Sequence, residues 1–167
     1  AIKGREHTKA IAVLLPDAAA LPQVARTPNA AAMALAAAFW PGPLTLVVPG
    51  HADLPANLSP LPTVGVRVPD HPVALALLRA CGPLAVTSAN QAGGANTSTA
   101  VEVLAQLDGR VDLILDGGRT PGGQPSTVVD MTADTPTLLR EGPITEASLS
   151  LVLRQSTNGI AKKSSEE

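Results

Sequence analysis

Several short stretches carry groups that can do chemistry, and most of those groups are cationic or hydroxylic. Thr63-Val-Gly-Val-Arg67 alternates in period two, so Val64, Val66 and Val68 share one face and Thr63, Gly65 and Arg67 the other. An arginine in mid-strand beside a glycine suits an anion lying close to the backbone. An ion pair with Asp130 or Asp116 is the alternative for Arg67, because a guanidinium among valines costs desolvation unless it is paired. Lys3-Gly4-Arg5 offers a point charge, a close backbone approach and a planar fork, as a phosphate clamp needs. A solvated terminus is its plain reading.

Thr87-Ser88-Ala89-Asn90 gathers hydroxyl and amide groups after an apolar run. It is either an ordinary strand-to-turn transition or the polar end of a ligand site, since ligands of open α/β sheets lie at strand ends. Ser126-Thr127-Val128-Val129-Asp130 repeats the theme, with Ser126 delivered by a loop containing Gly117-Gly118 and Gly122-Gly123. Those glycines match neither a Walker nor a dinucleotide fingerprint. Arg140-Glu141-Gly142 places another arginine at a strand end, with a surface salt bridge as its plain reading. His7, His51 and His71 show no metal-ligand spacing, so no metal site is expected. No activated nucleophile can be assembled from residue order. Together these groups describe a pocket for a nucleotide or another small anionic molecule.

The elements that position them follow from pattern and punctuation. Ile11 to Leu15 reads as a buried strand, and Asp17 caps a helical stretch after Pro16. Thr27 as N-cap with Pro28 in the first turn predicts a helix to about Phe39, stopped by Trp40-Pro41-Gly42-Pro43. Leu44 to Val48 is a strand, and Pro49 to Pro62 is a loop suited to a mobile cover. Asp70 is placed as the cap of a helix from His71 to Ala80, and Leu84 to Thr87 is a strand. Thr99 caps a helix from Ala100 to Leu107. Asp112 to Leu115, Ser126 to Met131 and Thr137 to Arg140 are read as strands, and Glu146 to Leu153 as the last helix. Met33 and Trp40 are assigned to the core. Residues 155–167, polar and poor in large apolar side chains, are expected to be a disordered tail after a single domain spanning 1–154. The alternation predicts an α/β or α+β fold with a mixed sheet.

Composition narrows the function. With 167 residues one domain is the default, and one Trp, one Phe and no Tyr leave an aliphatic core. Base stacking on aromatic side chains is poorly supported. A net charge of −2 argues against a dedicated nucleic-acid surface. Cys81, the single cysteine, excludes an internal disulfide and a cysteine-built zinc site. No apolar run approaches the roughly 20 residues of a membrane span, so a cytoplasmic soluble protein is the simplest expectation. The chain begins at Ala1, within what reads as a functional loop, and an N-terminal piece is expected outside this sequence.

At these residues the chain resembles the YrdC-like family, the threonylcarbamoyl-AMP synthases of tRNA modification. The matching segments are Lys3-Gly4-Arg5, Trp40-Pro-Gly-Pro-Leu-Thr-Leu-Val-Val48, Thr63 to Pro72, Thr87-Ser-Ala-Asn90 with Gly93, Ser126 to Asp130 and Leu139-Arg-Glu-Gly142. They occur in the family's order and cover most of Ala1 to Leu153. The resemblance implies a single-domain twisted, mixed, largely parallel sheet with flanking helices around a concave, positively charged cavity. It also implies a reaction. L-threonine, bicarbonate and ATP, the last with Mg, give threonylcarbamoyl-AMP and pyrophosphate. The product feeds the transferase machinery that modifies adenosine 37 of tRNA.

Carried over by position, Lys3, Arg5, Thr63, Asn90, Thr97 and Arg140 resemble ATP contacts. Arg67, Thr87, Ser88 and Ser126 resemble contacts to threonine. The chain departs from the pattern at Glu6, where the family has proline, and at Ala92-Gly93, where it has Ser-Gly. The family's Pro-Thr-(Glu/Asp)-Thr-x-Tyr-Gly-Leu segment, part of its threonine site, is not in this sequence. Two other readings accompany the synthase. One is the YrdC-like domain of a hydrogenase-maturation carbamoyltransferase. The other is a non-catalytic module that binds a nucleotide or, weakly, RNA.

Overall fold

The computed structural model describes residues 10–120 and 124–163, with side chains described as far as residue 156. Its centre is a mixed sheet. The strands are β1 (Ala12–Leu14), β2 (Leu44–Pro49), β3 (Thr63–Arg67), β4 (Leu84–Val86), β5 (Thr127–Asp130) and β6 (Thr137–Arg140). Among the described residues they lie in the order β4-β1-β3-β2-β5-β6. β1 pairs with β3 and β2 with β5 in parallel; the other three interfaces are antiparallel.

The two faces of this sheet differ. Val13, Val64, Val66, Leu44, Leu46, Val48 and Val129 point to one side and are at most 3% exposed. Helix α1 (Ala30–Phe39) covers that side with Ala32, Leu35 and Ala36, and helix α4 (Glu146–Lys163) covers it with Leu149. Burying each such aliphatic side chain is worth about 1.5–3 kcal/mol, which is how a core nearly free of aromatics holds the fold. The opposite face carries Ala12, Leu14, Val47, Gly65, Arg67, Val128 and Asp130, all half-buried.

α1 is apolar at every position and rich in alanine, the best helix former. Its cap is Asn29, whose side chain accepts from Ala32 N at 2.8 Å, and not Thr27 as expected. The Thr-Pro signal pointed to the right turn of chain, but Asn29 has the reach to the free amide. With apolar residues on every side of α1, its buried stripe is not legible from sequence. Met33, expected in the core, is 44% exposed. Trp40 is half-buried and packs against the core, donating Nε1 to Leu44 O at 2.8 Å.

The helical stretch expected after Asp17 is a 3-10 helix, Ala18–Gln23, which Asp17 caps by accepting from Ala20 N at 3.0 Å. Helix α2 (Pro72–Cys81) starts at Pro72, with His71 in the cap position and no side-chain cap bond, so Asp70 is not the cap. Proline at the first position has no N–H to satisfy. Thr99 caps helix α3 (Ala100–Leu107) as expected. Asp112 to Leu115 is not a strand: among the described residues it finds no ladder partner, and Leu113 is 74% exposed. The helix α4 continues to Lys163, so the tail expected from residue 155 is helical up to that point; no proline interrupts it, and each added residue contributes one backbone bond to a helix already nucleated by Leu149 packing. The 49–62 loop is tied to the body. Leu58 is buried, Ile11 N donates to Leu58 O at 2.7 Å, and His51 Nε2 lies 2.9 Å from Pro22 O.

Candidate functional site

The half-buried face of the sheet holds a transverse row of residues from five strands. Leu14 pairs with Arg67, Thr45 with Val128, and Val128 with Arg140. Continuing the β2–β3 ladder one residue past Leu46–Val66 sets Thr45 opposite Arg67. The row therefore reads Leu14, Arg67, Thr45, Val128, Arg140. β3 and β6 are three strand spacings apart, so the backbones bearing the two arginines are separated by roughly 14 Å.

Arg67 is half-buried and donates Nε to Gly42 O at 2.8 Å. Burial pulls its pKa below the ordinary guanidinium value, though an arginine stays charged at neutral pH. Among the described residues no carboxylate pairs with it, so neither Asp130 nor Asp116 is its counter-ion. Asp130 is instead engaged with Thr132, accepting from its N at 2.8 Å and its Oγ1 at 2.7 Å. Asp116 accepts from Gly118 N at 2.9 Å.

Arg140 is held differently. It donates Nε to Ser126 O at 2.9 Å and Nη2 to Ser126 Oγ at 3.1 Å. Ser126 Oγ lies 2.8 Å from Thr45 Oγ1. Two backbone devices fix this corner. Thr127, fully buried, donates Oγ1 to Ile144 O at 2.9 Å and accepts from Ile144 N at 3.0 Å. Gly142 passes so close that a Cβ would stand 2.3 Å from Thr127 N and 2.6 Å from Pro125 O. Only glycine lets the chain after Arg140 lie against the start of β5.

Thr63 lies at the other end of β3, four residues and about 13 Å from Arg67. The antiparallel β4 and parallel β1 send Thr87-Ser88 and Ala10 to that same end. Asn90 is 7% exposed and donates Nδ2 to Gly94 O at 2.9 Å. Thr97 donates Oγ1 to Ala89 O at 3.0 Å, and Thr87 donates Oγ1 to Ser88 O at 3.2 Å. Gln91 and Gln106 brace the loop through two bonds of 3.1 Å. The site residues anticipated from sequence thus fall into two groups. Arg67, Ser126 and Arg140 lie at one end of the sheet; Thr63, Thr87, Ser88, Asn90 and Thr97 lie at the other. Lys3 and Arg5 lie outside the described residues.

Gly65 is midway between the two groups. A Cβ built there would meet Thr45 Cγ2 at 3.5 Å, ordinary contact, so packing does not demand glycine. The side chain is missing from the floor between two polar clusters. Thr45 is the residue that sequence reasoning passed over. It sits in the apolar run Leu44-Thr-Leu-Val-Val48, and the available signal was its polarity at a position sharing parity with Val47 and the open face.

A cationic row with hydroxyls between its arginines, an open floor and a second polar cluster can hold an elongated anion by both ends. Among the described residues no group of three or more His, Cys, Asp or Glu could hold a metal ion. Among the described residues no helix is long and apolar enough to cross a membrane.

The family model Sua5_yciO_yrdC, described as "Telomere recombination", matches residues 1–142. The threonylcarbamoyl-AMP synthase of Bacillus subtilis is 40% identical over 154 residues, a stretch covering 90% of this chain and 44% of that protein. A putative threonylcarbamoyl-AMP synthase of Mycobacterium tuberculosis is 38% identical over 152 residues, covering 90% of this chain and 70% of that protein. The crystal structure of P. abyssi Sua5 complexed with L-threonine superposes with a TM-score of 0.85 at 36% identity, over 90% of this chain and 45% of that one. The chain spans less than half the length of the Bacillus relative and of the Pyrococcus structure.

Proposed function

Because this chain belongs to the Sua5/YciO/YrdC family, we propose that it is the synthetic domain of an enzyme that makes threonylcarbamoyl-AMP from L-threonine, bicarbonate and ATP. The observation that carries the reading is the transverse row, with Arg67 and Arg140 flanking the Thr45–Ser126 hydroxyl pair above the bare floor at Gly65. The likeness to the P. abyssi protein, which was solved with L-threonine, supports it.

The reaction suits a site that positions and neutralises. The amine of threonine captures CO2 as a carbamate. A carbamate oxygen then attacks the α-phosphorus of ATP, the bond to the bridging oxygen breaks, and pyrophosphate leaves with the electron pair. No protein nucleophile is required; three anionic groups must be brought together and their charge offset. Arg67 presents its terminal nitrogens to the threonine carboxylate, with Ser126 as a further contact; Thr87 and Ser88, expected from sequence to touch threonine as well, lie at the opposite end of the sheet and join the cluster of Thr63, Asn90 and Thr97. Arg140, Thr63, Asn90 and Thr97, with Lys3 and Arg5, take the nucleotide. Mg enters on the ATP phosphates, as that ion commonly does. The enzyme is then a nucleotidyltransferase, working in the cytoplasm and passing its product to the transferase machinery that modifies tRNA.

The test is pyrophosphate release from ATP by this chain and by the full-length gene product. The expected result is release that requires both threonine and bicarbonate. Release independent of threonine, or none from either protein, overturns the reading.

A further inference from the structure

We infer that Thr45 is a positioning residue, which turns the Ser126 hydroxyl into a fixed proton donor for the anionic oxygen lying between Arg67 and Arg140. The inference rests on the proposed synthase reaction, in which that oxygen belongs to the carbamate of threonine.

Thr45 is 7% exposed, on a strand whose other buried members are aliphatic. A valine would fill the same volume with no polar atom to satisfy. The hydroxyl of Thr45 meets one described partner, Ser126 Oγ at 2.8 Å. Ser126 Oγ also accepts from Arg140 Nη2 at 3.1 Å. The two hydroxyls own two protons and use one between themselves. The other has no acceptor among the described residues. When Thr45 donates, it and Arg140 occupy both lone pairs of Ser126, and the Ser126 proton is left to point outward. The row then offers donors only: Arg67, Arg140 and one hydroxyl. An anionic oxygen completes it. Without Thr45, the Ser126 hydroxyl can rotate and the donor is no longer aimed.

The experiment measures kcat and KM for L-threonine, with melting temperature, in the full-length protein and its T45V, T45S, S126A and T45V/S126A variants. We expect T45V to lower kcat/KM for threonine by about tenfold or more, the scale of a hydrogen bond to a charged group, while melting stays within a few degrees. T45S, which keeps the hydroxyl, should stay within about threefold of wild type on the same scale. T45V should add nothing on the S126A background, because Thr45 acts through Ser126. Wild-type kinetics in T45V, a T45S as damaged as T45V, or full additivity with S126A each overturn the inference. If the wild-type protein releases no pyrophosphate, the proposed function fails. Titration of wild type and T45V with L-threonine and with ATP then reads the pair without turnover, and indistinguishable titrations overturn the role of Thr45.

Discussion

The guanidinium of Arg67 is anchored by its Nε to the carbonyl oxygen of Gly42 at 2.8 Å, and the Gly42 amide in turn donates to Val68 O at 2.9 Å. The turn after α1 and the end of β3 thereby hold one another, and the terminal nitrogens of Arg67 stay available. R67A should abolish threonine-dependent pyrophosphate release while leaving the circular-dichroism spectrum unchanged. R67K keeps the charge but loses both the anchored Nε and the fork, so kcat/KM for threonine should fall by about 10- to 100-fold. Normal turnover in R67A would remove this arginine from the site.

Gly65 separates packing from function. A Cβ at this position touches Thr45 Cγ2 only at 3.5 Å, so G65A should melt within a few degrees of wild type. It should nonetheless lose most of its activity, since the methyl group occupies the floor between the polar clusters. Steady-state kinetics beside a thermal melt decide the matter. Retained activity would mean that no ligand lies over β3.

Thr127 tests the frame. Its hydroxyl satisfies both the N–H and the C=O of Ile144 in a fully buried setting. T127V keeps the shape and leaves both backbone groups unpaired, at a cost of about 2–5 kcal/mol. For a domain of this size that lowers the melting temperature by roughly 5–15 °C. T127S should recover most of the loss, and a melt of T127V coincident with wild type would contradict the assignment.

Glu102 gives a pH dependence of known sign. Its carboxylate accepts from Ser98 N at 2.6 Å while Thr99 Oγ1 accepts from Glu102 N at 3.3 Å, a reciprocal cap on α3. The Ser98 amide first, then those of Thr99 and the charge of Arg119, hold its pKa below the usual carboxylate value. A depressed folded-state pKa stabilises the fold above the unfolded pKa, and that contribution disappears as pH falls through the folded value. The stability gap between wild type and E102Q should therefore be present at neutral pH and close in acid. Urea titrations at several pH values measure it; a gap constant down to low pH would rule the cap out.

Much of this was legible in the chain, for identifiable reasons. The alternation from Thr63 to Val68 named both faces of β3 correctly, because a strand has one period and Arg67 broke the apolar run on one face only. Helix α1 was legible as a helix but not as an oriented one: alanine on all sides carries no stripe, and Met33 was assigned inward. Asp112 to Leu115 shows the opposite failure. Leu113 and Leu115 alternate with other residues as a strand would, yet pairing is a property of the sheet, and no described strand lies beside them. Thr45 stayed hidden because its partner, Ser126, is distant in sequence, and a threonine inside an apolar strand is ordinary on propensity alone.

On the proposed function, the row from Arg67 to Arg140 makes the β6 end of the sheet part of the binding equilibrium. Arg140 stands on β6, which among the described residues has a neighbour on one side only, and it is bonded to Ser126, just before β5. Fraying of that hairpin releases one pole of the site while the buried layer beneath β3 and β2 stays intact. A substrate gripping both poles would then act as a strut against such fraying, so that affinity and the local protection of β6 rise and fall together.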